Sequence, residues 1–137
     1  MVNFSDTTPA PPTGKTNIKW QLDMTGNISG YTSLGSITKL SVTPSAGVLA
    51  LDASLANSFR IFVNQAITSV TIANPSDGQE ITLLWVQDGT GHAITLPTVL
   101  KGATAPSTGA NLTSCQKFTY DFTANAWYAV AAGVTGM

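Results

Sequence analysis

Charge is what this sequence most lacks. Only 9% of its 137 residues are Asp, Glu, Lys or Arg, against about a quarter in an ordinary soluble domain, and the net charge is −1. Six Lys and Arg in all leave no basic patch for nucleic-acid phosphates or anionic lipid headgroups, so neither partner is expected. A single cysteine, Cys115, excludes an internal disulfide and a Cys-rich zinc site. A single histidine, His92, excludes a multi-histidine metal centre within one chain. Runs of about 18 apolar residues are missing too, so no membrane-inserted helix is expected. Met1–Pro12 is polar and Pro-rich, without the basic start and apolar stretch of a secretion signal. The Asn-x-Ser/Thr triplets at Asn3, Asn27 and Asn111 are therefore read as chance in a Thr-rich chain. Synthesis in a reducing cytoplasm is expected, in keeping with the unpaired Cys115.

What replaces charge is hydroxyl. Ser and Thr make up 32 residues, beside 43% hydrophobic residues. These side chains favour strands and turns over helix interiors. A surface of this kind can meet copies of itself without stripping water from ions, and near-zero net charge promotes association. The composition points to a part of a larger assembly, with self-association expected.

The chain divides by pattern. Residues 1–46 read as an extended N-terminal arm: Asp6–Gly14 is Pro-rich, Asn17–Leu22 holds one short alternating strand, and Gly26, Gly30 and Gly35 punctuate a loop-rich stretch to Pro44. Ile18, Trp20 and Leu22 share one face of that strand and are the candidate attachment residues, with Trp20 the anchor. Residues 47–137 have a period of two. Leu49 and Leu51, then Phe59, Ile61 and Val63, Val70 and Ile72, Ile94 and Leu96, Phe118, Tyr120 and Phe122, and finally Trp127 to Ala132 give about seven short strands, counting the one at 81–86. In that strand Ile81, Leu83 and Trp85 alternate with Thr82, Leu84 and Val86, so it is apolar on both sides. Leu84, Trp85 and Val86 are thus candidates for either core or oligomer interface. Turn residues separate these strands at Asn64-Gln65, Asn74–Gly78, Asp88–Gly91 and Thr123–Ala126, and 101–114 forms a long connection. The expected fold is all-β: an antiparallel, jelly-roll-like β-sandwich knob at 47–137 carrying the arm.

Chemistry is hard to find. A Ser-His-acid site would have to use His92 with Asp88 or Asp121, and His92 follows a turn where an exposed polar residue needs no explanation. Pro12-Thr-Gly-Lys-Thr16 ends like a phosphate-binding loop, but position 9 is Pro9 where the motif requires Gly, and neither a strand nor a helix flanks it. Asp77-Gly78 and Asp88–Gly91 share only Asp and Gly with calcium loops, and no Asp-x-Asp spacing occurs. No catalytic residue, metal site or cofactor is therefore assigned, and the chain is expected not to be an enzyme. Trp20 and Tyr31 lie outside the expected core and are the candidates for a glycan-binding alternative.

Two passages carry a resemblance. Val2–Asp23, continuing to Gly26-Asn-Ile-Ser-Gly-Tyr31, looks like a junction segment of tailed-bacteriophage virion proteins. Ile67–Gly89, followed by Ala93–Pro97 and Phe118–Tyr128, is similar in order to the β-sandwich modules of phage tail fibres, spikes and capsid decorations. The resemblance implies a small virion appendage, assembled as a homotrimer. It also implies that residues 1–46 dock on other virion proteins and that the knob projects, with host cell-surface glycans as an alternative partner. Most of the chain is covered, and the motifs are structural: turns, strand alternation and a closing Trp-Tyr pair.

Overall fold

The alternation read in the sequence becomes strands whose pairing is not that of an antiparallel sandwich. The computed structural model describes residues 39–137, and every regular element among them is a strand. These are β1 (Lys39–Val42), β2 (Val48–Asp52), β3 (Ser58–Val63), β4 (Ser69–Ala73), β5 (Glu80–Gln87), β6 (Leu100–Lys101), β7 (Thr113–Asp121) and β8 (Ala126–Ala129). Six form one mixed sheet in the order β1-β3-β5-β7-β8-β6, and β2 and β4 form a second, two-stranded sheet. β1/β3, β3/β5, β6/β8 and β2/β4 are parallel; β5/β7 and β7/β8 are antiparallel. The expected antiparallel, jelly-roll-like arrangement is thereby overturned.

The cause lies in where the turns send the chain. From β1 to β5 successive strands alternate between the two sheets, so each returns to its own sheet running the same way. Parallel neighbours need a connection of about a dozen residues or more, usually a helix. Here residues 43–57 and 64–79 provide that length, each with a strand of the smaller sheet inside it. Asn64-Gln65 and Asn74–Gly78 thus lead the chain from sheet to sheet instead of closing hairpins. The turn into β2 is the tightest of them. Ser45 and Val48 exchange both backbone hydrogen bonds at 2.9 Å across Ala46 and Gly47, whose φ angles are +49° and +78°. The expected arm boundary at 46 falls inside this turn, and Lys39–Val42 on its N-terminal side pairs with β3.

Both sheets turn their apolar sides to one core. Stacked rungs run Leu40–Phe59–Leu83 and Val42–Ile61–Trp85 across β1, β3 and β5. Leu49, Leu51 and Val70 close the same cluster from the smaller sheet, and Phe118, Tyr120 and Trp127 close it from β7 and β8. Phe59, Ile61, Ile81 and Leu83 are fully buried. Burial of each such side chain contributes roughly 1.5–3 kcal/mol. The expected strand around Ile94 is reduced to one parallel bridge with Ile67.

Candidate interaction surface

The outer face of the six-stranded sheet is built from the residues that the core does not take. In β5, Ile81, Leu83, Trp85 and Gln87 point inward and are buried, which leaves Thr82, Leu84 and Val86 on the opposite side, half-buried. The structure thus separates the three sequence candidates: Trp85 is core, 3% exposed, whereas Leu84 and Val86 face outward. Their neighbours follow from the register. Leu84 lies between Arg60 and Cys115, and Val86 between Phe62 and Thr113. Beyond β7, Cys115 bridges Val134, and Thr113 exchanges two backbone hydrogen bonds with Met137. Tyr128 stands opposite Thr119, and the Val130 N–H bonds the carbonyl of Lys117.

This face therefore carries Phe62, Tyr128, Val130, Val134 and Met137, half of the large exposed hydrophobics among the described residues, around Leu84 and Val86. Its charge is mainly positive. Lys39, Arg60, Lys101 and Lys117 lie on it with two acids, Asp121 at the end of β7 and Glu80, which pairs with Lys117 at 2.9 Å between two half-exposed side chains. An exposed ion pair of this kind contributes little to stability. An exposed face with this many large apolar side chains marks an interaction site more often than bare solvent.

The remaining sequence candidates fall elsewhere. Ile18, Trp20, Leu22 and Tyr31 lie outside the described residues, so the attachment strand and the glycan alternative have no geometry here. His92 does meet Asp88, Nε2 to Oδ2 at 3.2 Å. Among the described residues no hydroxyl hydrogen-bonds the imidazole, so the pair has no nucleophile beside it. Asp88 serves the turn instead: its Oδ1 accepts the N–H groups of Thr90 at 2.8 Å and Gly91 at 3.0 Å. Those two bonds, with a smaller contribution from His92, hold its carboxyl below the usual value of 3.8. Asp52 is likewise lowered, by the Ser54 hydroxyl first, then by the Asn74 amide and the Ser54 N–H. Asp77 accepts the Phe122 N–H at 2.9 Å, and Asp121 accepts those of Thr123 and Ala124. The acids that sequence inspection set beside calcium loops are thus turn acceptors. Among the described residues no three His, Cys, Asp or Glu gather as for a metal. A shallow cleft of about 100 Å³ lies between Ile72, Pro75, Val99, Tyr120, Asn125 and Trp127. The Tyr120 hydroxyl donates to Asn125 Oδ1 at 2.7 Å there, and Trp127 is too deeply buried to offer its face to a sugar ring.

One set of residues escaped the sequence reading: the glutamines. Gln65 Oε1 accepts the Gly47 N–H at 2.7 Å while its Nε2 donates to the Pro44 carbonyl at 3.0 Å. Gln79 accepts from Ser76 N–H and donates to the Ala53 carbonyl. Gln87 and Gln116 are buried and do the same for His92 and Ser107, and for Thr104, Gly102 and Ala131. A side-chain amide has one acceptor and two donors, so it satisfies loop backbone as a peptide would. The available signal was parity: Gln87 continues the inward positions of Leu83 and Trp85, and Gln116 precedes those of Phe118 and Tyr120.

No protein-family model matches this chain, and no curated protein shows significant similarity to it. Any reading of function rests on the residues themselves.

Proposed function

We propose that this protein is a non-enzymatic structural component of a bacteriophage virion. It acts as a small appendage or decoration on capsid or tail, assembles as a homotrimer, and attaches to other virion proteins through the N-terminal residues. The observation that carries this reading is the outer face of the six-stranded sheet, where Phe62, Leu84, Val86, Val134 and Met137 form an apolar field in a chain with few charges. A second copy is its natural occupant, because covering that field removes apolar surface from water and desolvates few ions. The order of motifs from Ile67 to Tyr128, similar to phage fibre and decoration modules, supplies the virion setting.

Multi-angle light scattering of the full chain at micromolar concentration tests the assembly. A trimer of 14.2 kDa subunits is the expected result. A clean monomer overturns it. Electron microscopy of particles with and without the protein then tests the virion role: density that appears only in its presence supports the reading, and unchanged particles refute it.

A further inference from the structure

The apolar sheet face has a chemical counterpart elsewhere on the same molecule. At one end of the strands the β4–β5 and β7–β8 turns lie together: Asp77 accepts the Phe122 N–H, and the Gly78 N–H donates to the Tyr120 carbonyl at 2.9 Å. Asp52 joins this end through Asn74, whose Nδ2 donates to Asp52 Oδ2 at 3.1 Å. The segments 74–79 and 121–126, with Asp52, hold three acids and no Lys or Arg. From their midst projects Phe122, 68% exposed, more than any other large hydrophobic among the described residues. Its backbone is fixed on both sides, by Asp77 at its N–H and by the Asn125 N–H at its carbonyl, 3.2 Å away. A backbone held in place before contact loses little freedom on binding.

We infer that the assembly contact is heterologous: the Phe122 end of one copy docks on the outer sheet face of the next. Phe122 seats against Leu84, Val86 and Phe62, while Asp77 and Asp121 meet Arg60, Lys117 and Lys39. Charge complementarity argues for this pairing. The end holds acids and no cation, and the face carries four cations to two acids, one of them the Asp121 at its border with that end, with Arg60 unpaired among the described residues. Two sheet faces meeting each other would bring like charges together, which opposes association. A contact between two different patches repeats from copy to copy and closes into a ring when the rotation permits, as a trimer requires. The inference rests on the oligomer proposed above and specifies which surfaces form it.

Mixing two full-length variants tests it. Phe122→Ser removes the projecting aromatic and Leu84→Glu spoils the face; both sites are at the surface, and circular dichroism checks that each variant is folded. Each substitution alone is expected to raise the dissociation constant about 30-fold or more, as loss of an interface anchor does. Combined, the Phe122→Ser chain still offers an intact face and the Leu84→Glu chain an intact Phe122 end, so the mixture forms a heterodimer and stops there. A mixture that remains monomeric overturns the inference, as does a Phe122→Ser variant that assembles like the wild type. Phe62→Ser in place of Leu84→Glu repeats the test should the latter misfold. A wild-type monomer would sink the oligomer itself, whereas an oligomer indifferent to Phe122 sinks only this assignment of surfaces.

Discussion

Gln87 holds His92 by both of its backbone groups: Oε1 accepts the His92 N–H and Nε2 donates to the His92 carbonyl, each at 2.8 Å. A second donation from Nε2 reaches the Ser107 carbonyl at 2.9 Å. One side chain, 3% exposed at the end of β5, thus pins both limbs of the long excursion between β5 and β7.

Replacing Gln87 with Leu keeps much of the volume and removes every one of those bonds. Leaving such groups unsatisfied costs about 1–3 kcal/mol apiece where they stay dry. The variant is expected to lose roughly 2–4 kcal/mol, read as a lower urea midpoint with little change in slope. Hydrogen exchange should show the loss concentrated at the His92 amide, the backbone N–H that Gln87 holds, with the Ser107 N–H still bonded to Ser114 Oγ. A stability equal to wild type would mean that water takes over these partners without cost.

Gly91 stands where no side chain fits. Its φ is +84°, and an added Cβ would lie 2.4 Å from the Thr108 carbonyl oxygen and 2.8 Å from the Ala110 nitrogen. At Gly78, with φ +75°, nothing lies within 4 Å. Gly78→Ala therefore meets only the left-handed backbone penalty, about 1 kcal/mol, whereas Gly91→Ala must also displace backbone and should cost at least twice that. Thermal melts of the two variants side by side check the ranking.

Acid should loosen the turns. Asp88 and Asp52 both titrate below 3.8 in the folded chain, because hydrogen bonds favour their ionised forms. A depressed folded-state value means that the stabilisation is present above the unfolded value and is lost as pH falls through the folded one. Denaturation midpoints should hold down to about pH 4 on this account and decline below it. In Asp88→Ala the deficit relative to wild type should shrink as the solution is acidified. A deficit that stays constant down to about pH 2 would remove the carboxylate from the explanation.

Much of the strand content was legible, because buried strands need alternating apolar residues and turns need Asn, Asp, Gly and Pro. Phe59–Val63, Ile81–Val86 and Phe118–Tyr120 lie in strands for that reason. Strand direction was not legible. A period of two reads the same in parallel and antiparallel sheets, and Asn74–Gly78 looks alike whether it closes a hairpin or carries the chain across to the other sheet. Lys39–Val42 stayed hidden among loop residues, since Leu40 and Val42 alone make a weak pattern; its partner Phe59–Ile61 makes it a strand. The two-sided apolar strand was visible, but which side was core depended on Phe118 and Phe59 arriving beside Ile81 and Leu83. The glutamine tethers were silent because a lone polar residue at an inward position shows its purpose only when the loop it binds is in place.

Those tethers also determine how the molecule would age. The amides of Gln65, Gln79, Gln87 and Gln116 carry no charge, so salt and mild acid leave them intact. Deamidation does not: it exchanges the donating nitrogen for a carboxylate oxygen, which at Gln87 would point at the carbonyls of His92 and Ser107 and at Gln116 at that of Ala131. Hydrolysis of one such side chain, unlike a shift in ionic surroundings, would turn a donated bond into a repulsion between two oxygens.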